Sequence, residues 1–479
     1  ARWASIIEKH YGKPQDIEWA KDGKSNELFI VQSRPETVHA VQTGKLYKEY
    51  KLKTEKEPII TGIAVGNKIG QGKIRIIENI SEINQFQKGE ILVTKMTDPD
   101  WLPIMRIASA IVTDEGSRVC HAAIVSRELG IPAIVGANKA TKVLSTGKMA
   151  TVDCTSGLGR VFSGIVPFKV KKYNLKSIPK TRTKIMMNIG SPEIAFKNSF
   201  LPNQGVGLAR EEFIIASKIN VHPLALIKQK KNQFFVDELA RGIGTIGAAF
   251  WPNPVIVRFS DFKTNEYASL TGGKEFEPKE ANPMLGWRGA SRYYDPLFKK
   301  AFLLECEAMK KARTEFGLKN IWAMVPFCRT VEEGKKVLKI MAEAKLAKGK
   351  DGLKVIVMCE IPSNVILVDK FLDIFDGMSI GSNDLTQLTL GIDRDNAKIS
   401  KIGNEKNEAV KTMVARVIKA CKLRNKYCGI CGQASSDFPD FVEFLVEQGI
   451  ESISLNPDTI IKTTFVVSKK EKQLKQKHN

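Results

Sequence analysis

Histidine is scarce in this chain, with five in 479 residues, so a histidine in a conspicuous setting stands out. No apolar run approaches the ~20 residues needed to cross a bilayer as a helix. The opening "ARWASIIEKHYG" has neither an initiator methionine nor the charged-then-apolar order of a secretory signal, and a first residue of alanine suggests a missing upstream stretch. No GxxxxGK[ST] loop is present, which excludes a P-loop nucleotide site. Cys428 and Cys431 form a CxxC, but the second pair that a zinc site of this kind needs is lacking, as is a thioredoxin-like setting. Acidic residues are outnumbered 52 to 74 by basic ones, for a net charge of +22. That balance favours phosphorylated substrates, nucleic acid or an anionic surface. The lysines, however, are spread along the whole chain, and no aromatic-basic interleaving marks a nucleic-acid partner. Eight cysteines without a secretory signal point to reduced thiols and a cytoplasmic protein.

What is present reads as globular, with 43% hydrophobic and 26% charged residues. At roughly 100–200 residues per domain the length predicts about two to four domains. Residues 1–43 combine a helix-like start with a strand, "ELFIVQSRPET". A lysine-rich, apolar-poor linker occupies 44–57. Residues 58–167 hold short strands with glycine turns, and a second basic linker covers 168–183. From 184 to 468, eight short apolar runs ("KIMMNIG", "GVGLAR", "VIVRFS", "IWAMVPF", "KVIVMCE", "GMSIGS", "YCGICGQ", "SISLNP") alternate with helix-like segments. Eight strand-then-helix units predict a closed (β/α)8 barrel, with a doubly wound open sheet as the alternative. The end of the chain, 469–479, reads as a charged, disordered tail.

Barrel chemistry sits at the C-terminal ends of the strands. Those ends carry Asn188, Arg210, Arg258, Glu360, Ser382-Asn383-Asp384, Cys431, Gln433 and Asn456. Asn188 and Asn456 are equally well read as turn formers. Two arginines, two carboxylates and a thiol at separate ends would converge on one mouth, where burying them without a ligand is costly. Glu360 and Asp384 offer hard oxygens for Mg2+. Arg210 and Arg258 offer planar forks for phosphoryl or enolate oxygens. The positive cluster is expected to lower the Cys431 pKa into a range useful for proton transfer.

One histidine has a telling position. In "DEGSRVCHAAIVSRELGIPAIVG", His121 stands between a Gly/Ser turn and the first turn of a mostly apolar helix. The free N–H groups and positive dipole end there favour an anion, which suits a phosphate carried on the imidazole. An imidazole nitrogen is both nucleophile and leaving group near neutral pH.

The stretches "TDPDWLPIM", "CHAAIVSRELGIPAIVG", "GVGLAREEFI", "VIVRFSDFKTNEY", "ANPMLGWRGASRY", "MCEIPSN", "IGSNDLTQLTLGIDRD", "GICGQ" and "SLNPDT" span almost the whole chain. Together they resemble the phosphoenolpyruvate (PEP) synthases, or pyruvate, water dikinases. These stand in a larger group with pyruvate phosphate dikinase and the first enzyme of the sugar phosphotransferase system. Cysteine before the histidine, and "GICGQ", favour the synthases. The resemblance implies a (β/α)8 barrel preceded by a small α/β swivelling phosphohistidine domain and a remnant of an ATP-grasp-like domain.

It also implies conversion of ATP, pyruvate and water to AMP, PEP and phosphate, with His121 as the phosphohistidine and Cys431 as proton donor and acceptor. Arg210, Arg258, Glu360, Gly381, Ser382, Asn383 and Asp384 would bind pyruvate or PEP, with Arg288 as a further contact, and Glu360 and Asp384 would hold Mg2+. Glu18, Gln32 and Arg34 resemble ATP- and metal-contacting positions, but most of the nucleotide domain is absent, so ATP would act only through that missing part. A homodimer is expected, with no nucleic-acid or membrane partner. Val119 replaces the threonine that a regulatory kinase/phosphorylase targets, so that control is expected to be lost, and Cys428 is expected to leave Cys431 oxidation-prone. The alternatives are phosphotransferase-system-like transfer to a carrier protein and a non-catalytic remnant acting as a binding module.

Overall fold

The computed structural model describes all residues except 1, 14, 26, 36–45, 55, 67, 117–119, 156–157, 393–403 and 479. Val119 lies outside the described residues. Two compact units are present, Ala1–Ser177 and Ile178–Asn479.

The first unit begins with a helix, Arg2–Tyr11, and an antiparallel pair, β1 (Gln15–Lys21) and β2 (Leu28–Pro35). β3 (Leu46–Leu52) pairs antiparallel with β11 (Phe168–Asn174). The two stretches read as linkers therefore form a ribbon instead. Cross-strand contacts hold it among the lysines: Tyr50 meets Phe168 with ring centroids 5.9 Å apart, Tyr173 donates to Glu49 at 2.7 Å, and the Lys171 ammonium lies 4.7 Å from the Tyr173 ring.

Between the two ribbon strands lies a closed seven-stranded barrel. Its strands are β4 (Ile60–Val65), β5 (Ile69–Ile76), β6 (Ile91–Thr94), β7 (Ala110–Thr113), β8 (Ala133–Val135), β9 (Met149–Asp153) and β10 (Leu158–Ser163), in the order β10-β4-β8-β7-β6-β5-β9. Ile91, Val93, Val112, Ile134 and Val152 fill one core, and a second core packs the helix His121–Leu129 and its neighbours against the sheet. Gly62 and Gly159 let β4 and β10 close on Ile134, since a Cβ at either would sit within 2.7 Å of that side chain.

In the second unit eight parallel strands close a barrel in sequence order. They are β12 (Lys184–Ile189), β13 (Val206–Arg210), β14 (Val255–Arg258), β15 (Ile321–Val325), β16 (Val355–Cys359), β17 (Gly377–Ile380), β18 (Tyr427–Ile430) and β19 (Ser452–Leu455). Their nearly continuous burial is what a parallel sheet covered by helices requires. Leu208, Ile256, Met324, Ile356, Met358, Tyr427 and Cys431 form a core of their own, while the alternate residues join the larger core shared with the helices.

Two readings of the sequence need correction here. The presumed tail is the end of a helix, Ile460–His478: Lys470 pairs with Glu443 and Glu447, and Glu471 accepts from the N–H groups of Arg182 (3.0 Å) and Thr183 (2.8 Å). Cys428 does not accompany Cys431. Strand alternation turns it outward, beside Cys421 in the helix-packed core, while Cys431 belongs to the inner one.

Candidate active site

At the C-terminal rim of the second barrel lies a cavity of about 450 Å³. Arg210, Arg258, Arg288, Gly381, Asn383, Asp384 and Cys431 line it, together with Glu212, Asp261 and Lys263. The strands deliver these groups directly. Arg210 and Arg258 are the last residues of β13 and β14, and Cys431 follows β18.

Charge dominates the hollow. Arg258 Nη2 donates to Glu212 Oε1 at 2.6 Å, and its Nη1 stands 3.7 Å from Asp261 Oδ2. Arg288 makes a two-pronged contact with Asp261 (3.0 and 2.5 Å) and lies 3.8 Å from Asp384. Burial works against both guanidinium charges, but Glu212, Asp261 and Glu360 around Arg258, and Asp261, Asp384 and Glu360 around Arg288, raise their pKa values. Burial likewise pushes Asp261 up, and Arg288, Arg258 and Arg329 more than reverse it. The Arg210 guanidinium stacks 5.8 Å from the Phe213 ring centroid.

Glu360 lies one layer beneath, fully buried, immediately behind Gly381: a Cβ at 381 would come within 2.9 Å of its Oε2. Its Oε1 accepts from the Phe327 N–H at 2.7 Å, whereas no donor among the described residues reaches its Oε2. Burial, then the charges of Asp384 and Asp261, push its pKa up to about 8 against the pull of Arg258 and Arg288. Two neighbouring carboxylates, one with an orphaned buried oxygen, fit a small hard cation. Among the described residues no third His, Cys, Asp or Glu completes a metal cluster.

Ser382, Asn383 and Asp384 open the helix Ser382–Leu390, whose first N–H groups lack intrahelical acceptors. Ser382 is buried against Gly432 rather than exposed in the cavity. Asn188 donates to the Cys431 carbonyl (3.4 Å), Asn383 accepts from the Gln433 N–H (3.0 Å), and Asn456 donates to Gln433 Oε1 (3.2 Å). These amides tie the rim together.

The thiol departs from expectation. Burial raises the Cys431 pKa, and the opposing effects of Ser379, which donates to Sγ at 3.4 Å, and of Arg258 and Arg210 do not overcome it. The positive cluster is present, but the thiol is 3% exposed and desolvation wins.

The sequence reading missed Glu212, Asp261 and Lys263. Each lies two to five residues beyond the last arginine of its strand, in the loops where barrel sites reside, and stopping at the end of each apolar run left them out.

In the first unit, His121 is the first residue of its nine-residue helix. Asp114, ahead of the turn, accepts from the Thr141 N–H (3.0 Å) and hydroxyl, and Lys68 donates to the Gly130 carbonyl (2.6 Å) just beyond the helix. On the β1–β2 pair, Glu18 stands opposite Gln32 and Asp16 opposite Arg34, with Arg34 Nε 3.0 Å from Asp16 and Nη2 3.7 Å from Glu18.

The PEP-binding domain model of the PEP-utilising enzymes matches residues 168–472. The chain belongs to the PEP-utilising enzymes. The mobile-domain model of this family matches 86–157, and the AMP/ATP-binding domain model of pyruvate phosphate dikinase matches 1–55. Among curated members, the chain is 54% identical to the phosphoenolpyruvate synthase of Synechocystis sp., covering 99% of this chain and 61% of that protein. It is 50% identical to those of Aquifex aeolicus (99% and 64%) and Escherichia coli (97% and 61%). It therefore spans 61–64% of the length of these PEP-utilising relatives. Among the described residues no helix is long and apolar enough to cross a membrane.

Proposed function

We propose that this chain carries the phosphohistidine–pyruvate half of a phosphoenolpyruvate synthase reaction, in which ATP, pyruvate and water give AMP, PEP and phosphate. The observation that carries the reading is the single hollow shared by Cys431, three arginines, Asn383 and Asp384. His121 is the phosphoryl carrier.

From the PEP side, a nitrogen of His121 attacks phosphorus as the bond from phosphorus to the enol oxygen breaks. Arg210, Arg258 and Arg288 neutralise the charge spread over the transferring group. The electron pair left on the enolate is discharged when the Cys431 thiol gives its proton to the methylene carbon, forming the pyruvate methyl group. A thiol held protonated by burial is the form this step needs. In the synthetic direction the thiolate removes a methyl proton and the enolate oxygen takes phosphorus from His121.

Glu360 and Asp384 are the residues that would hold Mg2+; when bound, that ion supplies positive charge to the enolate and phosphoryl oxygens. Glu18, Gln32 and Arg34 are assigned to the nucleotide side of the reaction, which requires a complete AMP/ATP-binding domain. PEP is therefore the donor for the test. Incubation with phosphorus-labelled PEP and Mg2+ should label wild-type chain at His121 and release one pyruvate per label, and His121→Ala should take up none. Label elsewhere, or none on the wild type, would contradict the assignment.

A further inference from the structure

Between Arg258 and Asp261, both in the cavity wall, lies Ser260, 1% exposed. All its polar groups are held by buried side chains from other elements. Its N–H and Oγ donate to the two oxygens of Glu305 (3.1 and 2.6 Å), Oγ also meets the Tyr267 hydroxyl (2.7 Å), and its carbonyl accepts from Tyr293 (2.7 Å). Since Oγ donates to Glu305, the Tyr267 hydroxyl must donate to Oγ. Alongside, Glu212 accepts from both the Asp261 N–H (2.7 Å) and Arg258.

Glu305 has a second neighbour. Glu211, next to Arg210, is also fully buried, and no donor among the described residues reaches either of its carboxyl oxygens. What it faces is the Glu305 carboxyl. Around the pair stand Glu212, Tyr267, Tyr293 and Cys306, and the cations next to these are engaged elsewhere: Arg258 by Glu212 (2.6 Å) and Arg292, 4.6 Å from the Tyr267 ring, by Glu277. Two facing buried carboxyls whose neighbouring cations are paired with other carboxylates coexist when a proton lies between them.

We propose that Glu211 and Glu305 share one proton and together act as positioning residues, clamping Ser260 so that Arg258 and Asp261 stand in register around the substrate. The role rests on the half-reaction proposed above. Burial, then the charge of Glu305, raises Glu211 well above the ordinary carboxyl range, and burial with the charge of Glu212 pushes Glu305 up to about 7 against the pull of its hydrogen bonds with Ser260 and Glu211. The sign follows: the proton is retained at low and neutral pH and lost as pH rises through the raised values. Its loss leaves two like charges in the interior and loosens the clamp.

The test follows His121 labelling from PEP in single turnovers of the full chain, as a function of PEP concentration from about pH 6 to about pH 9. In the wild type the half-saturating PEP concentration should climb on the alkaline side. Glu211→Gln, whose amide supplies the hydrogen bond without a proton to lose, should flatten that limb. Glu305→Ala should cut the maximal rate about 10-fold to 100-fold at every pH, with partial rescue in Glu305→Gln, which keeps one acceptor oxygen. If Glu305→Ala does not fold, Glu211→Gln decides alone.

Infrared difference spectra give an activity-independent readout. A protonated-carboxyl C=O band should be present in the wild type at neutral pH and diminished in Glu211→Gln, with any Glu360 contribution common to both. An unchanged band, an alkaline limb identical in Glu211→Gln and wild type, or a folded Glu305→Ala of wild-type rate would overturn the clamp. An absent label on the wild type with the band intact would instead count against the half-reaction alone.

Discussion

Cys431 lies beside two arginines and still holds its proton, because at 3% exposure the cost of a buried thiolate exceeds the attraction of Arg258 and Arg210. Cys431→Ala should lower the rate of His121 labelling from PEP about 10²-fold to 10⁴-fold, the range for losing a general acid. The melting temperature should stay nearly unchanged, as scanning calorimetry would show. Gly381→Ala is the steric counterpart: the new Cβ would meet Glu360 and Met358 within 2.9 Å, displacing the carboxylate. Labelling should fall sharply while circular dichroism stays native, and a fully active variant would contradict the placement of Glu360.

Arg210, Arg258, Asp384 and Cys431 were legible in the sequence because each closes or follows an apolar run whose C-terminal end must face the barrel mouth. Glu212 and Asp261 were not, since carboxylates in polar turns look like any others until the arginines they pair with are seen in space. Nor was the state of the thiol, which depends on depth of burial. A list of neighbouring charges cannot supply that.

At the scale of elements, the eight barrel strands were read correctly because parallel strands covered by helices are apolar throughout. The errors fell on lysine-rich segments. In the β3–β11 ribbon lysines are interleaved with Tyr50, Val170 and Tyr173, and in the helix Ile460–His478 Lys470 and Glu471 are paired rather than free. Composition suggests solvated chain in both places, and only the partner strand or helix shows otherwise. Glu471→Ala should lower stability by about 1 kcal/mol, since it removes the carboxylate acceptor of the part-buried Thr183 N–H and of the exposed Arg182 N–H; a denaturant midpoint measures it.

The connection between β14 and β15 is held by a fully buried group in which Glu277 takes both Arg292 and His222 Nε2, while His222 Nδ1 accepts from the Leu224 N–H. Glu277→Ala leaves a buried guanidinium uncompensated and should cost about 3–5 kcal/mol, a loss visible as a large drop in melting temperature.

For the whole molecule, His121 stands at a helix start in the first unit, and arginines, carboxylates and a thiol gather at one rim of the barrel in the second. The family match spans both units and the first strands, yet the chain covers 61–64% of its curated relatives, so the rim chemistry is best tested without ATP. The most direct measurement is exchange of the pyruvate methyl hydrogens with deuterated water, followed by proton NMR in the presence of Mg2+. Wild-type chain should catalyse exchange well above the background set by Cys431→Ala. Exchange by the wild type no faster than by Cys431→Ala would contradict the claim that this rim makes and quenches the enolate.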